Sequence, residues 1–201
     1  GCRYISVYAY ARQIRLYYVG LHPTPYPFEY KKVSELKDAL HRKISETSIR
    51  TLELCAHEHY EDCPWREQAL YAMDSRNQML FGYTCFDNPE LPRESLRLLA
   101  LGQKENGLLE LCAPAESSIT IPAFSLAFVT AVKEYLENVG DGDFVKELLP
   151  AIGKILDFFR IRIDKSGLIP FIGDSGIWNF YEWSNDLDGS PAKKGHLIKY
   201  E

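Results

Sequence analysis

The sequence predicts a mainly α chain preceded by short β strands. Three observations carry that reading. Tyr, Val and Ile crowd the first 22 residues. Three prolines at alternating positions follow, in "HPTPYPFEY". Beyond residue 34, apolar residues recur at the three- and four-residue intervals of a buried helix face.

The first stretches, "CRYISVYAY" and "IRLYYVGLH", have the β-branched and aromatic content of strands. Two strands alone do not make a stable sheet, so these are expected to pack on something further. The prolines at 23, 25 and 27 forbid a helix and predict an extended crossing segment. A first helix is expected from Ser34 to about Ala56, and a second over 67–83. The third is "RESLRLLALGQ". The fourth opens at Pro122, a favoured first-turn residue, and stops at Gly140, a favoured C-cap. The fifth is expected to start from Asp143 as N-cap, with Phe144, Leu148, Ile152, Ile155, Phe159 and Ile163 as its apolar stripe. Only "DGD" joins the last two, so they should form an antiparallel hairpin. The closing stretch "GLIPFIGDSGIWNFYEWSNDLDG" predicts a long irregular loop. Its cluster of Trp178, Tyr181 and Trp183 is a composition that disorder does not favour.

The bulk composition excludes several classes. Charged residues are 25% of the 201 and the formal net charge is −5, with no basic stripe, so nucleic acid is not an expected partner. No apolar run reaches the ~18 residues of a membrane span. The five cysteines, Cys2, Cys55, Cys63, Cys85 and Cys112, are irregularly spaced and lack a C-x-x-C pair. Reduced thiols in a cytoplasmic protein are the expectation. Aromatic residues make up 13%, which suits both a packed core and the stacking faces of a sugar site.

Residues 57–68, "HEHYEDCPWREQ", concentrate charge between two apolar stretches. Pro64 cannot lie inside a continuous helix, so it is expected near the start of the second helix, with Asp62 as N-cap. Glu67 and Asp74 are then two turns apart and share a face, which continues with Asn77 and Gln78. Two readings stand. The acidic residues cap a helix and form a solvated face, as its dipole favours, or they line a sugar site. His57 and His59 flank Glu58, but H-x-H without further ligands is a weak metal signal, and a loop role is expected. Cys63 has no His–Asn partner pattern and is expected to pack. Trp178, Glu182 and Trp183 form either a small core within their loop or sugar platforms.

"EDCPWREQ" followed by Asp74 resembles the acidic motif of bacterial α-L-rhamnosidases, roughly D-C-P-x-R-E with another Asp seven residues after the Glu. Asp62, Cys63, Pro64, Arg66, Glu67 and Asp74 match it. The resemblance implies a partial (α/α)6 six-hairpin barrel. Residues 1–34 would be the C-terminal strands and linker of a β-sandwich domain, and 35–201 the N-terminal part of the catalytic barrel. It implies inverting hydrolysis of terminal α-L-rhamnosyl or similar residues, with Glu67 as general acid. Asp62, Arg66 and Asp74 would be substrate-binding, joined by Trp178, Glu182 and Trp183. No cofactor and no metal are implied. The expected partners are a carbohydrate substrate and, because a partial barrel exposes apolar faces, a second copy of the chain. Two departures stand. Tyr71 and Ala72 occupy the region where the family often has Gly-Trp. The family's general base is a Glu late in the barrel, expected here beyond residue 201. A non-catalytic carbohydrate-binding or helical scaffold module derived from such a barrel is the alternative from another class.

Overall fold

The structure, a computed structural model, describes residues 4–32 and 36–189. Five helices follow one another: α1 (Ala39–Leu54), α2 (Ala72–Cys85), α3 (Glu90–Leu101), α4 (Pro122–Val139) and α5 (Gly142–Arg160). None is long and apolar enough to cross a membrane. The expected order of five helices, ending in a hairpin, is present. The strands are not. Among the described residues only isolated bridges occur, none of them within 4–22, whose residues are exposed. A strand exists only against a neighbour, and no described element offers one.

Local chemistry sets the helix ends, and it corrects several expected boundaries. Ser34 and Glu35 lie outside the described residues. The first described cap is Asp38, whose Oδ1 accepts the His41 N–H at 2.8 Å, so α1 begins at Ala39. The second helix begins at Ala72, not at residue 67, and its N-cap is Tyr71 rather than Asp62. α3 starts three residues earlier than expected, because the Pro89 carbonyl already accepts the Arg93 N–H at 3.1 Å. Pro92 fits in its first turn, where a missing N–H leaves nothing unpaired. α4 keeps its expected bounds. It opens on Pro122 and ends on Gly140 at φ +80°, the left-handed C-cap that glycine adopts without strain. The cap of α5 is Asp141, which accepts the Phe144 N–H at 3.1 Å, while Asp143 pairs with Lys146 on the surface. That helix stops at Arg160, leaving Ile163 beyond it and exposed.

The core lies around α4, which packs against α2, α3 and α5. α2 turns Ala72, Ser75, Met79 and Gly82 inward, mostly small residues that let a neighbouring helix approach closely. At Gly82 a Cβ would stand 3.3 Å from the Tyr60 hydroxyl. α4 answers with Phe124, Ala127, Phe128, Ala131, Val132 and Tyr135, all buried. One bidentate ion pair joins the two helices. Arg76 Nε and Nη2 donate to Glu134 Oε2 and Oε1 at 2.9 and 2.5 Å. Its members are only 25% and 16% exposed.

The proline-rich segment is extended and binds the ends of the first two helices. Tyr26 N–H donates to the Ala56 carbonyl at 3.1 Å and Lys31 N–H to the Cys85 carbonyl at 2.9 Å. Between these bonds the Phe28 ring stacks on Phe86, with centroids 3.9 Å apart.

Removing one member of a largely buried pair strands the other charge. Arg76→Ala is therefore expected to lower stability by about 3 kcal/mol. The double variant Arg76→Met, Glu134→Leu should recover most of that loss. Urea denaturation of the three proteins checks both outcomes.

Candidate active site

The acidic stretch is a self-bonded loop between α1 and α2. Asp62 closes it. Its backbone N–H donates to the Ala69 carbonyl at 3.0 Å, and its Oδ1 accepts the Ala69 N–H at 2.9 Å. Between those anchors the chain turns through 64–67. It then passes through Gln68 at φ +53°, a left-handed conformation uncommon for a residue with a side chain. Pro64 fits this turn, having no N–H to satisfy. Buried Glu61, just before the loop, is held by side chains from both sides. His57 Nδ1 donates to buried Glu61 at 2.7 Å, and Gln78 donates to the Glu61 carbonyl at 2.6 Å. The His57 and Gln78 side chains thus serve the loop. His59 Nδ1 lies 2.8 Å from the Tyr60 carbonyl. Among the described residues no cluster of His, Cys, Asp and Glu is placed to hold a metal ion.

Glu67 therefore stands on a turn, not on a helix, and its alignment with Asp74 does not come from helical spacing. Its Oε1 accepts from Arg66 Nη2 at 2.8 Å and its Oε2 from the Tyr71 hydroxyl at 2.9 Å. The Glu67 N–H faces Cys63 Sγ at 3.4 Å. Cys63 is a free thiol, as are Cys55, Cys85 and Cys112. Asp74 sits in the first turn of α2.

The facing wall is the irregular loop 167–189. Thr120 holds it from both backbone atoms: its N–H donates to the Gly176 carbonyl and its carbonyl accepts the Trp178 N–H, each at 2.9 Å. Gly176 is required there. Its φ is +79°, and a Cβ would lie 2.6 Å from the Ser118 carbonyl oxygen. Buried Asn179 bonds both backbone groups of Ile172. The two readings of the aromatics divide by residue. Trp178 is half-buried, donates to the Asp188 carbonyl at 2.8 Å and packs on Phe180. Trp183 is 74% exposed, with its ring centroid 4.9 Å from that of Phe180. Glu182 is engaged locally, accepting the Trp183 N–H at 2.6 Å.

Between the two walls lies a cavity of about 550 Å³. Glu67, Asp62, Arg66, Asp74, Trp178, Glu182 and Trp183 all line it. So do Asn77, which the sequence placed on the same face, and Tyr71, Met73 and Phe124, which it had not assigned to the site. Tyr71 carried a signal, four residues after Glu67, and Asn77 follows Asp74 by one helical turn. Gln78, expected on the same face, points to the loop backbone instead. Burial is the main cause that raises the Asp74 carboxyl above its usual range, and the charges of Asp62 and Glu67 add to it.

Comparison with known proteins bears on this cavity. Residues 34–199 match the profile described as bacterial alpha-L-rhamnosidase 6 hairpin glycosidase domain. The chain belongs to that family. A GH78 family rhamnosidase of Bacillus sp. GL1 is 30% identical with a TM-score of 0.74, over 82% of this chain and 17% of its own. A rhamnosidase from Klebsiella oxytoca, with rhamnose bound, is 26% identical with a TM-score of 0.67, over 76% of this chain and 30% of its own. The chain spans less than a third of the length of either. No curated protein sequence matches. The five helices are thus part of a six-hairpin helical barrel, in a rhamnosidase-like glycoside hydrolase domain.

The half-buried Asp74 carboxyl of this rhamnosidase-family chain yields a pH prediction. Asp74 ionises less readily in the fold than near its ordinary value of 3.8. Stability linked to it is therefore full below that value and declines as pH rises through the folded-state value. Asp74→Asn fixes a neutral group there. The variant should melt above the parent at neutral pH, with the gap closing as pH falls toward 3.8. Calorimetry across that range checks the sign.

Proposed function

We propose that the cavity binds a terminal α-L-rhamnosyl or similar residue and that Glu67 is the general acid of its inverting hydrolysis. One observation carries the proposal: Glu67, Asp62 and Asp74 line one cavity with Arg66 at its rim and the Trp183 ring on its wall. The volume is within the roughly 300–1,000 Å³ of small-molecule sites. Carboxylates and Asn77 suit sugar hydroxyls. Met73, Phe124 and Phe180 suit the apolar face of a deoxy sugar, whose methyl group has no hydroxyl to satisfy.

Inverting hydrolysis needs a protonated carboxyl beside the leaving oxygen and an ionised one that activates water on the opposite face, roughly 6.5–9.5 Å away. Glu67 is assigned the first role because it stands on an accessible turn, 36% exposed at its side chain. Asp62 spends its Oδ1 on the Ala69 backbone N–H that closes the acidic loop, so it is assigned to holding a hydroxyl with its other oxygen. Half-buried Asp74, in the first turn of α2, is assigned the same task. The described helices number five of the twelve in a six-hairpin barrel. The water-activating carboxylate is assigned to the remainder of such a barrel.

The test is steady-state kinetics in a protein carrying the complete barrel, with natural α-L-rhamnosides and activated aryl glycosides. Glu67→Gln should lose a factor of about 10² to 10⁴ on natural glycosides. It should lose far less on activated ones, whose leaving groups need little protonation. Asp74→Asn should raise KM and lower kcat/KM on both, as expected when ground-state and transition-state contacts are lost together. Equal losses on both substrates for Glu67→Gln would remove the acid role from Glu67.

A further inference from the structure

Glu67 is held at both oxygens, and the two holds differ in kind. Arg66 reaches Oε1 from an 82% exposed side chain, so solvent competes for that bond. Tyr71 reaches Oε2 from a half-buried ring, seated edge-on to Phe124 at a centroid distance of 6.2 Å. Phe124 is in turn edge-on to Phe180, also at 6.2 Å, and Phe180 contacts Trp183. A continuous aromatic row thus fixes the hydroxyl that fixes the carboxyl. Burial and the bond to Glu67 both push the Tyr71 phenol well above its ordinary ionisation range, so it stays a donor.

We infer that Tyr71 is a positioning residue for Glu67: it anchors Oε2, leaving Oε1, once Arg66 is displaced by substrate, as the oxygen that delivers the proton. This rests on the acid role proposed for Glu67. In the step, the Oε1–H proton passes to the glycosidic oxygen as the bond from that oxygen to the anomeric carbon breaks. Its electron pair stays with the leaving oxygen. Water bonds to the anomeric carbon and gives its proton to a carboxylate base. Glu67 becomes an anion, and the Tyr71 hydrogen bond strengthens as that charge develops, because hydrogen bonds to ionised acceptors are the stronger ones. An interaction that tightens in the transition state acts on kcat more than on KM.

Two measurements test this. The first is made on the chain itself, with tyrosine labelled at the ring carbon bearing the hydroxyl and Tyr71→Phe used for assignment. Glu67→Gln should shift the onset of Tyr71 ionisation to lower pH, since the carboxylate that holds the phenolic proton is gone. An unmoved Tyr71 signal would overturn the anchor whatever the protein hydrolyses. The second is kinetic, in a protein with the complete barrel. Tyr71→Phe keeps the ring against Phe124 and should fold. It should lower kcat on natural glycosides by about tenfold and on activated aryl glycosides by less than twofold, with KM unchanged on both. An equal loss on both substrates, or none, would overturn the positioning role. If Glu67→Gln itself shows no leaving-group dependence while the Tyr71 signal moves, the acid role fails and the anchor stands.

Discussion

The close approach of α2 to α4 is the constraint on which the rest of the molecule depends. Ala72 and Ser75 are small, buried residues on α2, and Ala127 and Ala131 are buried small residues on α4. The pair Arg76–Glu134 fixes the register. With the helices so placed, Asp74 and Phe124 both project from first turns into one cavity. Helix N-termini carry partial positive charge. Two of them flank the cavity, yet the Asp74 carboxyl stays raised by burial and by the charges of Asp62 and Glu67.

That packing also explains what the sequence could and could not convey. α4 and α5 were legible because their buried faces are large and apolar and their ends carry Pro122 and Gly140. α2 was misplaced by five residues at its start because its inward face is Ala, Ser, Met and Gly, which gives no apolar stripe to read. Asp143 looked like a cap from its position alone. Asp141 won because its carboxylate reaches the Phe144 N–H. The strands were read from composition, and composition cannot show whether a neighbouring strand is present.

The candidate residues gather around one cavity for a different reason than helical spacing. Helical spacing predicted that Glu67 and Asp74 share a face, yet Glu67 stands on a turn. The seven residues meet in one cavity because Asp62 folds the acidic loop back through Ala69 and Thr120 hangs the aromatic loop opposite. Spacing in the motif therefore reflects a loop geometry, with Gln68 in a left-handed conformation, rather than helix periodicity. Tyr71 went unassigned because its four-residue spacing from Glu67 shows only nearness, whereas the turn between them sets the bond from its hydroxyl to Glu67 Oε2.

The tether at Thr120 has an evolutionary consequence. The loop 167–189 is mounted at its base by two backbone bonds, by Asn179 and by a glycine at 176. Its tip, with Glu182 and Trp183, contributes little to the core. Substitutions at the tip can then accumulate without unfolding the barrel. A lineage could reshape one wall of the cavity by changing that tip alone, while the acidic loop opposite stayed as it is.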